Sequence, residues 1–516
     1  MLSIMFVSGC ANHSIESAHL AARAQNLIVA ENNRTGTEAW RLTNPATQRE
    51  IEGYASATSV NRGEDIQLYV NTDDPTYTLE VFRMGWYQGL GARRVLGPVS
   101  VPGTRQITPA PDPQTGLVDC DWKNPHLLKT VADSEGAPWM SGVYIAKLST
   151  SETQRQSYII FVVRDDDRHS DLVLHLSVTT YQAYNFWGGK SLYPDSSGDE
   201  LPWGSAKGLP AVKVSFNRPY AGSTNPLAAY GVGAGDFLTN TQPVMRGYPI
   251  SSAGWDYNLV RWLEREGYDL SYVTSLDTHR SAELLKTHKA FLSAGHDEYW
   301  SWSMRENIEA ARDAGVNLAF FGANAVYWQV RFEASPATQA ANRVLVAYKD
   351  KAKDPYSNDS DPSNDRFTTV RWHSEPVTRP EDTLVGMHYV LDPADGDIVI
   401  SNASLWEFRN TGLHNDSHLT GLLGYEVDGT SSNPPQGLEI LATSKAVDIS
   451  DPSHTANSNM TIYSTAKGSL VFATGSMQWS WGLDDFNSPI LRTSRVNPAA
   501  VQITRNVLER FLGVRD

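Results

Sequence analysis

Residues 289–330 read KAFLSAGHDEYWSWSMRENIEAARDAGVNLAFFGANAVYWQV, and this stretch decides the fold of the chain. Its first apolar run, residues 290–294, is too short for a helix and predicts a buried strand. Ser301 or Ser303 can then cap a helix with apolar residues at helical spacing, and Gly315 ends it. A second apolar run follows at once. Strand, helix and strand in this order predict a βαβ unit of a parallel sheet.

Three polar residues, His296, Asp297 and Glu298, come together directly after the first strand of this unit. Parallel sheets place ligands outside the carboxyl ends of their strands, and Asn324 follows the second strand at the same edge. Burying an unpaired charge is costly, so we expect the three residues to face water, a metal or a substrate. The plain alternative is a solvated turn whose carboxylates favour the helix N-terminus, but the neighbouring Tyr and Trp residues argue against it.

Length and composition limit the class of protein. The 516 residues exceed what one ordinary core holds, so we expect two or more domains. The formal net charge is -15 and the sequence contains no basic run, which excludes a nucleic acid as the partner. Fifteen Trp and 22 Tyr exceed what a core needs, so we expect some of them to line clefts or sugar-binding surfaces.

The two cysteines, Cys10 and Cys120, are too few for a disulfide framework or a thiolate metal site. Residues 1–27 are interpreted as a lipoprotein-like leader and tether, because a short apolar run precedes VSGC, a typical lipid-attachment sequence ending at Cys10. This predicts a lipid-anchored protein of the cell envelope. The alternative is an ordinary ragged start, which would leave the chain cytoplasmic. No other segment reaches the apolar length of a membrane span.

The rest of the chain divides into two predicted domains. Residues 28–166 show short alternating strands between Gly, Pro, Asn and Asp turns, which predicts an immunoglobulin-like β-sandwich. A charged hinge at 164–168 marks the boundary. Residues 167–516 alternate strands and helices, which predicts an α/β domain with a mostly parallel sheet of the class I glutamine amidotransferase or flavodoxin-like type. We expect an exposed loop at about 350–366 and a closing amphipathic helix at 498–512.

The predicted strand ends carry carboxylate, imidazole and phenol groups rather than a nucleophilic thiol or serine. Neither cysteine lies at a strand end, and no G-x-S-x-G elbow follows a strand. The strand ends instead present Tyr181 or Tyr184, Tyr220 and Glu298. Their oxygens are hard donors, which favour a highly charged ion such as ferric iron over zinc. Strand-end tyrosines more often seal a core with the hydroxyl in water, which is the plain alternative.

Five motifs resemble the large (beta) subunit of N,N-dimethylformamidase and its bacterial relatives. They are TYQAYNFWGGKSLY at 180–193, SFNRPY at 215–220, WLEREGYDLSYVT at 262–274, SAGHDEYWS at 293–301 and FFGANAVYWQVRFE at 320–333. The upstream IEGYASATSV and FRMGWYQGLGAR are also similar to the family. The resemblance therefore covers most of the chain.

This resemblance implies hydrolysis of an amide C–N bond in an N-substituted formamide or similar small amide. It also implies a mononuclear Fe(3+) site with two tyrosines and one glutamate. The glutamate is Glu298 of GHDEYW, and one tyrosine is Tyr220 of NRPY. The other is Tyr181 or Tyr184 of TYQAY, with Tyr181 favoured.

Three further residues receive roles from the same resemblance. His296 would hydrogen-bond the substrate or the water at the metal, and Asn324 would orient the amide. Glu426 of GYEVD would move the proton to the leaving amine. In the characterised enzyme a small subunit accompanies the large one. For this chain we keep a homo-oligomer as an expectation and leave a small accessory subunit open.

Two other functions compete with the amidase. The first is a cell-envelope binding or structural module in which the sandwich and Trp-rich loops hold a glycan and the α/β domain is a retired enzyme. A retired site would be expected to lose Tyr220, His296 or Glu298, and all three are present. The second is a hydrolase of the same fold that acts on a non-amide substrate without a metal.

Overall fold

A computed structural model describes residues 26–194, 203, 209–242 and 252–514. Cys10 and nearly all of the predicted leader lie outside these residues, so the lipid anchor stays a prediction. The described chain begins with helix α1, Leu27–Asn32, and the Asn26 side chain caps it by accepting a hydrogen bond from the amide of Ile28 at 2.8 Å. None of the helices in the described ranges has the length and apolarity needed to cross a membrane.

The next eight described strands form two sheets around one apolar core. They are β1 Ile51–Ala55, β2 Ser59–Asn61, β3 Asp65–Thr72, β4 Thr76–Met84, β5 Ala92–Pro102, β6 His126–Lys129, β7 Gly142–Thr150 and β8 Gln156–Arg164. The sheet orders are β1-β3-β6 and β2-β8-β7-β4-β5. In β3 the residues facing the core, Ile66, Leu68 and Val70, alternate with more exposed ones, as expected of a strand with one buried face. The immunoglobulin-like assignment stays a prediction.

The following part of the chain alternates strands and helices around one seven-stranded sheet. The described strands of this part of the chain, seven of which form that sheet, are β9 Leu172–Leu176, β10 Lys213–Ser215, β11 Leu270–Thr274, β12 Ala290–His296, β13 Tyr299–Ser301, β14 Asn317–Ala323, β15 Trp328–Glu333, β16 Val344–Val346, β17 His388–Val399, β18 His418–Gly429, β19 Glu439–Val447, β20 Thr455–Ser464 and β21 Leu470–Ala473. Its helices are α2 Val178–Tyr184, α3 Asp256–Glu266, α4 Ser275–Arg280, α5 Glu283–Lys286, α6 Trp302–Asp313, α7 Asp382–Val385 and α8 Pro498–Phe511.

The seven-stranded sheet has the order β11-β9-β12-β14-β21-β20-β19. Its first five strands are parallel to one another, whereas β20 and β19 run antiparallel to their neighbours. The hairpin of β17 and β18 lies beside the end of β14, where the amide of Asn324 donates to Asp428 of β18 at 2.8 Å. Side chains from β9, β12, β14 and this hairpin can therefore meet at one edge of the sheet.

The stretch that decides the fold forms the unit β12, α6 and β14. The Ser301 hydroxyl accepts a hydrogen bond from the amide of Met304 at 3.1 Å and caps α6. Gly315 has φ 107 and follows the helix, a conformation that glycine adopts without strain. Strand β12 runs through Gly295 to His296, two residues beyond the predicted end at 294. Position 295 is close to the side chain of Asp256, because a Cβ there would meet an Asp256 oxygen at 2.8 Å. A glycine fits here without that clash.

The β-sandwich and the α/β part are joined by buried polar contacts as well as by a continuous apolar core. The guanidinium of Arg83 in β4 contacts both carboxylate oxygens of Glu264 in α3, at 2.7 and 3.0 Å. In the predicted hinge, Arg164 is buried and lies 3.0 Å from Asp277 of α4. The charged segment thus ties the two parts together. The placement of the domain boundary at 166 stays a prediction.

The predicted exposed loop at about 350–366 contains two short 3-10 helices, Pro355–Ser357 and Asp365–Phe367, and most of its residues are exposed. Asp354 anchors this loop, since it is buried and pairs with Arg331 of β15 at 2.8 Å. The final helix, α8, begins after Asn497, whose side chain accepts hydrogen bonds from the first turn.

Candidate active site

Glu298 lies at the centre of a cluster of tyrosine hydroxyls. Its carboxylate accepts hydrogen bonds from Tyr184 at 2.8 Å and from Tyr193 at 3.0 Å, and these two hydroxyls lie 2.9 Å apart. The Tyr299 hydroxyl lies 2.5 Å from that of Tyr193. Burial raises the pKa of Glu298 and of all three phenols, and the Glu298 charge raises the phenol pKa values further. The side-chain oxygens of Glu298, Tyr184 and Tyr193 therefore converge in a buried position.

His296 faces two carboxylates across a short gap. Its Nε2 lies 3.4 Å from Glu298 and 3.5 Å from Glu426, and it has no hydrogen-bond partner among the described residues. Its Nδ1 is bonded to the side-chain amide of Gln242 at 2.9 Å. Burial lowers the pKa of His296 to about 3, although the Asp297 charge opposes this. The imidazole is therefore neutral at pH 7, with one nitrogen directed at the carboxylates.

Glu426 and Asn324 form the other side of this gap. Asn324 follows β14 with φ 50, a backbone conformation that Asn tolerates better than most residues, and its Nδ2 donates to Glu426 at 2.6 Å. Burial, together with the charges of Asp392 and Glu298, raises the pKa of Glu426. Oδ1 of Asn324 has no partner in the described protein. A carboxyl group with a raised pKa and an unpartnered amide oxygen thus belong to the residues beside the imidazole.

Lys349 is a cation that packs against the tyrosine cluster and interacts with the charge of Glu298. Its Nζ lies 3.5 Å from the centre of the Tyr193 ring and 5.1 Å from that of Trp328. Burial lowers the pKa of Lys349 to about 7, and the Glu298 charge partly offsets this. Lys349 and Trp328 also line a cleft of about 1170 Å³.

The plain alternative of a solvated turn is wrong, because His296, Asp297 and Glu298 are all at most 3% exposed. Burial is tolerated because each polar group has a partner or a charged neighbour. Asp297 accepts hydrogen bonds from Ser293 at 2.7 Å and Trp300 at 2.8 Å. The aromatic residues that argued against a surface loop are part of the reason why the turn is enclosed.

The predicted tyrosines separate into two groups. Tyr184, the alternative to Tyr181, bonds Glu298, whereas the Tyr181 hydroxyl bonds Asp256. Tyr220 packs edge-on against Tyr181 at 6.4 Å between ring centres, and its charged neighbours include Asp236. No described hydrogen bond joins Tyr181 or Tyr220 to Glu298. The structure brings His296, Glu298, Asn324 and Glu426 together as predicted from the motifs, and adds Tyr184 to them.

Four participants were not singled out in the sequence: Tyr193, Tyr299, Gln242 and Lys349. Tyr193 and Tyr299 do belong to two of the motifs that carry the family resemblance, so a signal for them existed. Gln242 and Lys349 lie outside those motifs and carry no local pattern. Only the folded chain places them, at 2.9 Å from His296 and above the Tyr193 ring.

The donor set suits a hard, highly charged cation. No group of three His, Cys, Asp or Glu side chains in the described part of the chain could hold a metal ion. The oxygens of Glu298, Tyr184 and Tyr193 form a different kind of set, since when ionised they carry three negative charges. Carboxylate and phenolate oxygens are hard ligands. The unpartnered Nε2 of His296 and Oδ1 of Asn324 face the same region and could receive a substrate.

Two comparisons with known proteins confirm the resemblance that the motifs indicated. A family model described as N,N-dimethylformamidase beta subunit-like, C-terminal, matches residues 78–492. The N,N-dimethylformamidase beta subunit of Alcaligenes sp is 32% identical to this chain over 76 residues, which are 14% of this chain and only 10% of that protein. By its name, that relative is one subunit of an enzyme. The family match indicates a hydrolase-like role. The chain belongs to the N,N-dimethylformamidase beta subunit-like family.

Proposed function

We propose that this protein hydrolyses the C–N bond of a small amide, such as an N-substituted formamide, at a mononuclear ferric site. The observation that carries the proposal is the convergence of the Glu298 carboxylate with the Tyr184 and Tyr193 hydroxyls, at 2.8 to 3.0 Å. The name of the Alcaligenes relative supports the substrate class. The ligands we propose are therefore Glu298, Tyr184 and Tyr193.

The charge of this set favours iron in its ferric state. Two phenolates and one carboxylate would neutralise a trivalent cation, whereas zinc prefers nitrogen and sulfur donors. Burial alone keeps the phenols protonated, because it raises their pKa far above neutrality. A strongly charged cation would reverse that effect. When bound, ferric iron would supply a Lewis acid that polarises the amide carbonyl and makes water more acidic.

The proton transfers would fall to His296 and Glu426. The neutral imidazole can accept a proton from the attacking water through Nε2, which lies 3.5 Å from Glu426. Burial raises the pKa of Glu426, which favours its protonated form, and in that form it can donate to the leaving amine. Asn324 holds Glu426 in place at 2.6 Å, and Gln242 fixes the imidazole ring at 2.9 Å. The buried surroundings exclude bulk water and strengthen each interaction.

Iron content and colour provide the direct test. Purified protein reconstituted with ferric iron should hold one iron per chain and show a visible phenolate-to-iron absorption band. Tyr184→Phe and Tyr193→Phe should each weaken the band and lower the iron content, and Glu298→Ala should abolish both. Tyr181→Phe and Tyr220→Phe are the matched controls, since their hydroxyls do not bond Glu298, and both should keep iron and band. The reverse pattern would show that the ligands are Tyr181 and Tyr220.

Amidase activity is tested separately by measuring the amine released from small N-substituted formamides and acetamides. His296→Ala should retain iron and lose turnover. A correctly folded, iron-loaded protein that releases no amine from any of these substrates would contradict the proposed reaction and leave the metal site intact. Without iron, the metal-free hydrolase of the same fold would become the better explanation.

The alternative of a glycan-binding module loses one of its supports. All fifteen Trp residues lie in the described ranges, and none of them is fully exposed. Nine are among the largest side chains that are almost completely buried: Trp40, Trp139, Trp187, Trp255, Trp262, Trp300, Trp372, Trp479 and Trp481. The surplus of Trp therefore serves mainly the core. A surface platform for sugars would need exposed rings.

A further inference from the structure

A small cavity lies between the β-sandwich and the α/β part, apart from the Glu298 cluster. Its volume is about 30 Å³, which is enough for a water molecule or a small ion. Its wall includes Tyr54 and Ala55 of β1, Phe216 after β10, and the side chains of Arg218 and Arg343. Both arginines are at most 4% exposed. Two arginine residues thus border a cavity that is large enough for a small ion.

The two arginines differ in how their hydrogen bonds are satisfied. Arg218 donates to the Gln182 side chain and to backbone carbonyls, including that of Asn185 at 2.7 Å, and uses all three of its nitrogens. Arg343 donates through Nε to Asn217 at 2.7 Å and through Nη2 to the carbonyl of Ala55 at 2.8 Å. Its Nη1 is buried and has no acceptor among the described residues. Arg343 therefore brings an unpartnered donor to the cavity wall.

The local charges do not balance. Neither Arg218 nor Arg343 forms an ion pair in the described protein, and Asp119 is the one carboxylate among the groups that act most strongly on the pKa of Arg343. Asp119 accepts hydrogen bonds from the Ser215 hydroxyl at 2.6 Å and from that of Ser335 at 2.5 Å. Burial raises the pKa of Tyr54 and Cys120, so the neighbouring phenol and thiol are neutral.

Two positive charges against one negative charge leave an excess of one. An uncompensated buried charge is strongly unfavourable. We propose that the cavity binds one monovalent anion of the size of chloride, held by Nη1 of Arg343 between the two parts of the protein. The anion would supply the missing acceptor and the missing charge, and would stabilise the interface without taking part in catalysis. This inference does not depend on the proposed amidase reaction.

Thermal unfolding of the full chain gives the first test. Chloride should raise the Tm saturably relative to gluconate at equal ionic strength, by about 1–2 °C at tenfold excess over its Kd, because gluconate is too large for the cavity. Arg343→Met should abolish the chloride dependence. Arg305→Met is the matched control, since Arg305 is equally buried but pairs with Glu309 at 2.9 Å, and it should keep the dependence.

Crystals grown with bromide in place of chloride make the test independent of how well the variants fold. An anomalous peak in the cavity, within hydrogen-bonding reach of Nη1 of Arg343, is the expected result. A water molecule at that position without anomalous signal would overturn the proposal. So would a chloride dependence of Tm that persists in Arg343→Met, because the ion would then act elsewhere.

Discussion

Replacing Arg83 with Met should destabilise the protein more than any other single charge removal we propose. Arg83 is fully buried, and its guanidinium contacts Glu264 at 2.7 and 3.0 Å. Glu264 also accepts hydrogen bonds from Asn32 at 2.9 Å and Tyr272 at 2.8 Å, so the variant would leave its carboxylate with neutral donors only. Breaking one side of a buried ion pair costs about 3–5 kcal/mol, because the remaining charge stays uncompensated.

Urea unfolding followed by Trp fluorescence and far-UV circular dichroism measures this loss. The double variant Arg83→Met/Glu264→Leu should lose less than the sum of the two single variants, since it leaves no charge unpaired. Arg105→Met is the control, because the Arg105–Asp73 pair is 78% and 71% exposed and should contribute nothing measurable. An Arg83→Met curve that overlays the parent curve would refute the idea that this pair ties the sandwich to the α/β part.

Three further predictions concern other parts of the molecule. Burial raises the pKa of Glu407 to about 7 from 4.5, so the free energy of unfolding should fall as the pH rises from 4.5 through about 7. Glu407→Gln should remove up to about 3 kcal/mol of this decline, and an unchanged pH profile would contradict it. Asn324→Ala removes the 2.6 Å bond to Glu426 and should lower amide turnover about tenfold or more with iron content retained; equal turnover would exclude Asn324 from the mechanism. Asn497→Ala removes the cap of α8 and should lower the free energy of unfolding by about 1 kcal/mol, whereas Asn497→Asp should not.

Local signals were sufficient to predict the central elements of the fold. Cap residues and apolar spacing predicted β12, α6 and β14, and the structure contains them with Ser301 at the N-cap. The position of the β17–β18 hairpin could not be predicted in this way. It depends on contacts distant in sequence, such as the bond from the Asn324 amide to Asp428, 104 residues away. Glu426 is therefore placed by tertiary structure, and only a family motif could indicate its role.

The choice between Tyr181 and Tyr184 shows where sequence reasoning ends. Both residues lie on α2, where three positions correspond to a rotation of about 60° around the helix axis. Because a tyrosine side chain is long, that rotation separates the two hydroxyls and sends them to Asp256 and to Glu298. The motif includes both residues, but it does not indicate how the helix is rotated about its axis. Spacing alone could not decide between them.

Tyr193 reaches Glu298 because the chain reverses direction after α2. Gly188 and Gly189 have φ 77 and 79 in a 3-10 turn, a conformation that most other residues adopt only at a cost. The reversal stacks the Tyr193 ring on Tyr184 with 4.4 Å between ring centres and brings both hydroxyls to one carboxylate. Acidic groups buried this closely raise one another's pKa, which is unfavourable unless the site has a use for it. A trivalent cation would attract the ionised groups and so offset their mutual repulsion. The raised pKa values and the converging oxygens therefore support the same site.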